Sequence, residues 1–123
     1  MNEKLLNEYK DTLSAVLGIK CEVTLRFDYI KKCSGLHHRN VEEKTSVITL
    51  NHYFRLERLL STLGHEMAHV QQWDSGDMVQ TSEFGRIYKG EVFEDMRTIP
   101  HDMRPWEVDA YTMELKIAES LKY

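Results

Sequence analysis

The sequence predicts a single α+β domain that spans all 123 residues. Three segments carry apolar residues at three- and four-residue steps, which is the period of a helix with one buried face. Shorter segments between them alternate apolar and polar residues or are rich in β-branched residues, which favours strands. The resulting order is helix, strand, strand, helix, hairpin and helix, which is an α+β arrangement. The length suits one domain and is too short for two.

The first part of the chain is predicted to form a helix and two strands. Residues 2–17 show the helical spacing, and Gly18 is a natural end for that helix. Residues 21–29 alternate apolar and polar side chains, and residues 45–51 are rich in β-branched side chains, so both are predicted strands. Residues 30–44 contain several lysines and histidines and are predicted to be a polar loop.

The rest of the chain is predicted to hold a long helix, a hairpin and a last helix. The long helix should run from about Phe54 to Trp73, with a single apolar stripe. The members of that stripe are Leu56, Leu59, Leu60, Leu63, Met67 and Val70. Residues 84–93 predict a hairpin that turns near Lys89-Gly90. Pro105 suits the first turn of the last helix, which should end near Leu121.

Composition and charge argue against several classes of partner. Lys and Arg number 16, Asp and Glu number 20, and the net charge is -4. This balance argues against nucleic acid or an anionic membrane as the main partner. No apolar run approaches the roughly 18 residues of a membrane span. Residues 1–6 mix charges and contain no apolar signal-peptide core, so we expect a cytoplasmic protein in which Cys21 and Cys33 are free thiols.

One short pattern in the long helix points to chemistry. His65 and His69 are four residues apart, so on a helix they lie one turn apart on the same face, where two imidazoles can bind one zinc ion. Glu66 is rotated by about 100° from His65, so its carboxylate can flank a water molecule that the metal activates. Glu66 can then take a proton from that water, which is the chemical content of the His-Glu-x-x-His pattern.

The helical wheel supports this interpretation. At about 100° per residue, the stripe centred on Leu56, Leu63 and Val70 lies roughly 140° from the direction of His65 and His69. The histidines therefore point away from the core that the stripe buries, as a metal-lined cleft requires.

Residues 64–72, which read GHEMAHVQQ, resemble the active-site helix of zincin-type metallopeptidases. The order of elements over about residues 45–121 is also similar to theirs. The small size resembles minimal zincins, including SprT-like and phage-encoded ones. The resemblance implies a zincin-like fold with an N-terminal helix, a small sheet, the active-site helix, a hairpin and a C-terminal helix that supplies the third metal ligand.

The third ligand should come from the start of the last helix. A catalytic zinc usually has three protein ligands and one open position. In some glutamate zincins the third ligand is the Glu of a Glu-x-x-Ala-Asp motif, which residues 107–110 resemble, whereas Tyr111 departs from it. The resemblance therefore favours Glu107. Glu107 and Asp109 are about 200° apart on a helix, so only one of them should bind the ion, and spacing alone leaves Asp109 as the alternative.

Three further residues are candidates for supporting roles. Tyr111, Tyr88 and His101 lie near or between the two motifs, where they could stabilise developing negative charge or orient a ligand. Each also has an ordinary packing explanation, and His101 is in addition a weaker candidate metal ligand. The strand 45–51 is either a core strand or an edge strand that pairs with an extended peptide, as zincin edge strands do.

The resemblance implies a zinc-dependent peptide-bond hydrolase that acts on a peptide or protein substrate. It would hold one Zn²⁺ through His65, His69 and Glu107 and use Glu66 as general base. The alternative is a non-catalytic binding or structural module on the same scaffold, in which zinc stabilises a small fold. A role in processing nucleic-acid-associated proteins rests only on the SprT-like resemblance and the basic residues within 30–44, and the acidic net charge counts against it.

Overall fold

The computed structural model describes residues 2–121, which form three long helices, six short strands and two single-turn 3-10 helices. The elements are α1 (Glu3–Leu17), β1 (Val23–Asp28), β2 (Gly35–Asn40), β3 (Thr45–Asn51), α2 (Leu56–Asp74), β4 (Met78–Gln80), β5 (Arg86–Tyr88), β6 (Glu91–Phe93) and α3 (Pro105–Leu121). The 3-10 helices, Met96–Thr98 and His101–Met103, lie between β6 and α3. The predicted α+β class is confirmed. Within residues 2–121, every helix is too short or too polar to cross a membrane.

The first sheet has the strand order β1-β3-β2, so β3 lies at its centre. β3 runs parallel to β1 and antiparallel to β2. The side chains of Ile48 and Leu50 on β3 are fully buried. Of the two alternatives left open for residues 45–51, the core strand is therefore confirmed and the edge strand is wrong. Within residues 2–121, β2 pairs with β3 alone, so β2 is an edge strand of this sheet.

The prediction of a loop over residues 30–44 is also wrong, because Gly35–Asn40 form β2. This segment alternates half-buried and exposed positions and is rich in histidine and arginine rather than in β-branched residues. Its strand conformation comes from six residue pairs with β3, from Gly35 opposite Leu50 to Asn40 opposite Thr45. Pairing with a neighbour, more than intrinsic preference, decides whether such a polar segment is a strand.

Two apolar clusters hold the helices in place. In the larger one, α1, α2 and the first sheet pack together, and Ile117 of α3 joins them. The predicted stripe of α2 is confirmed, since Leu59, Leu63, Met67 and Val70 are all buried and the other two members pack against the same cluster. The smaller cluster is built on Met78, Tyr88 and Trp106.

The smaller cluster lies under a second sheet with the order β4-β5-β6. The predicted hairpin is confirmed as β5 and β6, and Lys89 and Gly90 at its turn have positive φ values of 48° and 84°. The third strand, β4, was not predicted. Trp106 packs edge-on against Tyr88 and Phe93, with ring centroids 5.8 and 5.3 Å away. This sheet therefore fixes the first turn of α3, which carries Glu107.

Local hydrogen bonds set the ends of the helices. Gly18 adopts φ 68° and ends α1, as predicted, because this left-handed conformation costs glycine little. The Asp74 carboxylate at the end of α2 accepts the backbone N–H groups of Lys20 and Cys21 at 2.8 and 3.1 Å. Those two bonds anchor the connection between α1 and β1 to the end of the helix that carries the histidines.

Candidate metal centre

Helices α2 and α3 bring His65, His69 and Glu107 into one group that could hold a metal ion. One ligand atom from each residue lies within 4.8 Å of the other two. Nε2 of His65 is 3.1 Å from Oε1 of Glu107, and Nε2 of His69 is 3.2 Å from the same oxygen. Only 12%, 10% and 7% of these three side chains are exposed. Glu107, rather than Asp109, thus lies beside the two histidines.

The orientation of His69 is fixed by Gln72, one turn further along α2. Nε2 of Gln72 donates to the backbone carbonyl of Trp106 at 2.8 Å. The other atom of the amide, Oε1, therefore faces Nδ1 of His69, at 2.9 Å. His69 donates its Nδ1–H to that oxygen, so in the neutral ring the lone pair lies on Nε2. This is the pattern in which a histidine binds a metal through one nitrogen while the other is held by a hydrogen bond.

The donor set favours a positive charge between these side chains. A lone pair on Nε2 of His69 and a carboxylate oxygen of Glu107 repel at 3.2 Å unless a proton or a metal ion lies between them. Burial lowers the pKa of His69, but the hydrogen bond and charge of Glu107 outweigh burial and raise it. Burial raises the pKa of Glu107, but hydrogen bonds from His65 and His69 outweigh burial and hold that pKa well below its usual range. The residues present therefore fit a bound cation.

His65 has a carboxylate beside its other nitrogen. Nδ1 of His65 lies 3.1 Å from Oε1 of Glu114, although the angle falls outside standard hydrogen-bond geometry. The second oxygen of Glu114 accepts a 2.6 Å hydrogen bond from the hydroxyl of Ser61. Glu114 is thus held in place on α3 next to the ring that faces Glu107.

Glu66 lies next to the group without belonging to it. Its carboxyl group is nearly buried, at 9% exposure, and accepts no hydrogen bond from any residue in the described range 2–121. Burial raises the pKa of Glu66, although the charges of His69 and His65 act in the opposite direction. Glu66 is also one of the residues that line the cleft beside this group.

Two of the three predicted supporting residues lie beside the candidate metal ligands. The ring of Tyr111 packs against His65 with centroids 4.5 Å apart, one turn after Glu107 on α3. Burial, and then the charges of Glu107 and Glu114, raise the pKa of Tyr111. Nε2 of His101 lies 3.4 Å from Oε1 of Glu107, and 66% of its side chain is exposed. The roles predicted for both residues stay predictions.

The third, Tyr88, is bound to Asp109 and lies outside the residues that line the cleft. Its hydroxyl donates to Oδ2 of Asp109 at 2.6 Å, and Nζ of Lys89 lies 3.2 Å from the same oxygen. Burial, and then the hydrogen bond to Asp109, raise the pKa of Tyr88. Partial burial would raise the pKa of Asp109, but its bonds with Tyr88 and Lys89 lower it. The carboxylate of Asp109 therefore bonds to Tyr88 and Lys89 and not to His65 or His69.

The sequence interpretation missed three residues at this site. Gln72 and Glu114 follow His69 and Glu107 by three and seven residues, so helical spacing alone could have placed them on the same faces. His37 falls in the segment predicted to be a polar loop, but it lies on β2 and stacks on His69 with centroids 6.4 Å apart. Its Nε2 is 2.9 Å from Oγ of Ser46. Burial, and then the neighbouring His69, lower the pKa of His37 to about 3, so its ring is neutral at physiological pH.

A cleft of about 610 Å³ opens beside the group. One wall is β2, whose residues 35–39 all line it, and another is the start of α3. His65, Glu66, His69 and Glu107 form part of its lining. A molecule in this cleft would therefore lie between the unpaired edge of β2 and the candidate metal ligands.

Comparison of the chain with protein-family models, with curated proteins and with solved structures finds no significant match in any of the three.

Proposed function

We propose that this protein is a zinc-dependent peptide-bond hydrolase, with His65, His69 and Glu107 as metal ligands and Glu66 as general base. The observation that carries the proposal is the meeting of the two α2 histidines with a carboxylate from α3 at the wall of an open cleft. Glu66 lies beside these three residues, has no hydrogen-bond partner among residues 2–121, and is the proposed general base.

Two of the three spacings between ligand atoms are close to those of a zinc site. Zinc binds histidine nitrogens and carboxylate oxygens at about 2.0–2.1 Å in a tetrahedral arrangement, which requires ligand atoms roughly 3.3 Å apart. The observed separations from Glu107 to His65 and to His69 are 3.1 and 3.2 Å. Two imidazoles and one carboxylate are also the donor types of many catalytic zinc sites, which keep one position open. A purely structural zinc would instead need a fourth protein ligand.

The remaining chemistry is proton transfer by Glu66. When bound, the metal acts as a Lewis acid on the scissile carbonyl and lowers the pKa of the attacking water. Glu66 accepts a proton from that water while the water oxygen forms a bond to the carbonyl carbon. Glu66 then delivers the same proton to the amide nitrogen as the carbon–nitrogen bond breaks. Burial raises the pKa of Glu66, which makes its carboxylate a stronger base than that of an exposed glutamate.

The unpaired edge of β2 supports an extended peptide as the substrate. Within residues 2–121, β2 pairs with β3 along one side only, so its other edge offers backbone N–H and C=O groups to a ligand. Residues 35–39 of this strand line the same cleft as Glu66. A peptide added to this edge would pass the candidate metal ligands.

The substitution Glu66→Gln tests the proposed base. We expect the variant to bind zinc as the unaltered protein does and to lose hydrolysis of a casein or mixed-peptide substrate by a factor of at least about 100, because a carboxamide cannot accept the proton. Zinc content is measured by metal analysis and hydrolysis by release of new amino termini. The matched control is Glu57→Gln, at an exposed glutamate on the same helix, which should change neither.

The outcome separates the hydrolase from a non-catalytic module. Loss of hydrolysis with zinc retained supports Glu66 as base. Undiminished hydrolysis by the variant would refute that role. A zinc-loaded, folded protein that hydrolyses no peptide would instead favour the binding or structural module.

A further inference from the structure

Three arginines line the cleft beside the candidate metal ligands. Arg39 comes from β2, Arg86 from β5 and Arg104 from the position just before α3. Within residues 2–121, the acidic side chains that line this cleft are Glu66 and Glu107, both already assigned to the proposed chemistry. The chain carries a net charge of -4, so this concentration of positive charge is a local feature of the cleft.

Arg39 is held in place by neutral groups. Its Nη1 donates to Sγ of Cys21 at 3.3 Å and to Oγ of Ser46 at 3.2 Å. Neither acceptor carries a charge, and no carboxylate in the described range lies within 4.0 Å of this guanidinium. Arg39 therefore keeps its positive charge uncompensated, with its orientation fixed at the end of β2.

Arg86 is fixed by backbone carbonyls and by an aromatic ring. Its Nη1 donates to three carbonyl oxygens, of Ser82 at 3.3 Å, Glu83 at 3.3 Å and Gly85 at 2.8 Å. Its guanidinium carbon lies 5.7 Å from the ring centroid of Trp73. These contacts orient the side chain and leave its charge without a counter-ion among residues 2–121.

Arg104 completes the set and lies close enough to Arg86 for the two to repel. Its Nε donates to the backbone carbonyl of Ile99 at 3.0 Å. Burial, and then the charge of Arg104, lower the pKa of Arg86. By contrast, Arg97, which is outside the cleft, forms a two-bond pair with Asp95. An anionic group that entered the cleft would meet guanidinium groups that are already oriented and lack a carboxylate partner.

From these arginines we infer that the cleft selects extended peptides that carry aspartate or glutamate side chains near the bond to be cleaved. Guanidinium groups bind carboxylates with geometrically specific, charge-assisted hydrogen bonds. A cleft lined with one sign of charge also concentrates ligands of the opposite sign. This inference rests on the proposed peptide hydrolase and adds the chemical class of its substrate.

A peptide fits the cleft better than a nucleic acid does. An extended peptide can pair with both the N–H and the C=O groups at the unpaired edge of β2 beside Arg39, whereas a phosphodiester chain has no donor for those C=O groups. Nucleic-acid binding usually requires a basic surface that extends along several phosphates, whereas this chain is acidic overall. The aromatic residues of the cleft are also engaged, since Trp106 is buried and Trp73 contacts Arg86.

The test measures binding separately from cleavage. Zinc-loaded Glu66→Gln protein is titrated into a fluorescein-labelled peptide of alternating glutamate and valine, and into the same peptide with glutamine at each glutamate. We expect the acidic peptide to bind at least roughly tenfold more tightly, with the difference shrinking at high salt. Equal affinities would overturn the inference. Both peptides are amidated at the C-terminus, so a terminal carboxylate contributes to neither affinity.

Arginine variants identify the source of the preference. Arg39→Gln, Arg86→Gln and Arg104→Gln should each reduce the preference for the acidic peptide by about fivefold or more. Arg26→Gln is the matched control, since Arg26 is an exposed arginine on β1 outside the cleft and its loss changes the net charge equally. An equal effect of the control would contradict the inference. Tighter, arginine-dependent binding of a single-stranded oligonucleotide would also contradict it and would favour nucleic acid.

The two proposals fail in different ways. If the unaltered protein cleaves neither peptide but binds the acidic one selectively, the hydrolase proposal fails and the charge selectivity stands as a binding property. If the unaltered protein cleaves both peptides at equal rates and binds them equally, the hydrolase proposal stands and the selectivity fails. The comparison of the two peptides needs no arginine variant, so a variant that does not fold leaves the result unaffected.

Discussion

At the scale of single residues, Glu107 and Asp109 show how two carboxylates on one helical turn acquire different partners. They are separated by about 200° around the axis of α3. Glu107 faces α2 and meets His65 and His69, whereas Asp109 faces the second sheet and meets Tyr88 and Lys89. The packing of α3 between α2 and that sheet thus separates a candidate ligand from a residue that holds two elements together.

This separation gives a prediction for zinc affinity. Glu107→Gln should weaken zinc binding by more than about 100-fold, because it replaces a charged ligand oxygen with a neutral amide. Asp109→Asn should leave zinc affinity within about twofold and cost at most about 1 kcal/mol of stability, because its ion pair is partly exposed. Competition with a chromophoric chelator measures the zinc affinity of both variants. Weaker zinc binding by Asp109→Asn than by Glu107→Gln would instead identify Asp109 as the third ligand.

The carboxylate beside His65 gives a second prediction at this scale. Glu114 lies 3.1 Å from Nδ1 of His65, and partners in this position orient a ligand ring and increase its basicity. Glu114→Gln should therefore lower zinc affinity by about 10- to 100-fold. Glu119→Gln, at an exposed glutamate on the same helix, is the control and should have no effect. If both variants bind zinc as the unaltered protein does, Glu114 has no part in the site.

The predictability of these residues depends on how local their spacing is. His65, Glu66 and His69 lie within one helical turn, so their common position follows from the helix alone. The prediction of Glu107 required the resemblance to glutamate zincins, because the two-residue spacing did not decide between Glu107 and Asp109. His37 could not be predicted, because its approach to His69 depends on the pairing of β2 with β3.

At the scale of elements, β2 is the part of the fold that the sequence predicted least well. Its residues have little intrinsic strand preference, and among the described residues its strand pairing comes from the neighbouring strand β3. β4 was missed for a related reason, since its three residues are too few to show a period. α2 and β3 were predicted because each buries a periodic apolar face.

Gly35, the first residue of β2, gives a prediction about how closely this strand approaches α2. A Cβ at Gly35 would lie 2.5 Å from Cγ2 of Thr62 and 3.3 Å from the carbonyl oxygen of Thr49. Thr62 cannot easily rotate away, because its hydroxyl lies 2.7 Å from that of Ser34. Gly35→Ala should therefore lower the free energy of unfolding by about 1–3 kcal/mol, measured by urea denaturation.

Two further variants make this prediction specific. Gly64→Ala is the matched control, because a Cβ there would meet Ile117 at an ordinary 3.7 Å. Since Gly64 lies inside α2, the change should stabilise the protein by about 0.5–1 kcal/mol. Adding Thr62→Ser to Gly35→Ala should recover part of the loss, because it removes the methyl group and keeps the hydroxyl. No recovery in the double variant would show that the steric explanation is wrong.

At the scale of the whole molecule, α2 connects two separately packed regions. Its apolar stripe packs on α1 and the first sheet, and its histidines face α3, whose first turn rests on the second sheet. His69 and Glu107 are 38 residues apart in sequence. An ion shared by these residues would therefore link the two regions, and its binding free energy would add to the free energy of folding.

The last prediction follows from this link. Zinc at about 1,000 times its dissociation constant should stabilise the protein by about 4 kcal/mol, which corresponds to an increase of about 10 °C or more in Tm. Chelation with EDTA should reverse the increase. Glu66→Gln should keep the full increase, because Glu66 lies outside the ligand group, and His65→Ala should lose most of it. An equal increase in His65→Ala would place the stabilising ion elsewhere on the chain, because zinc at this site requires both histidines.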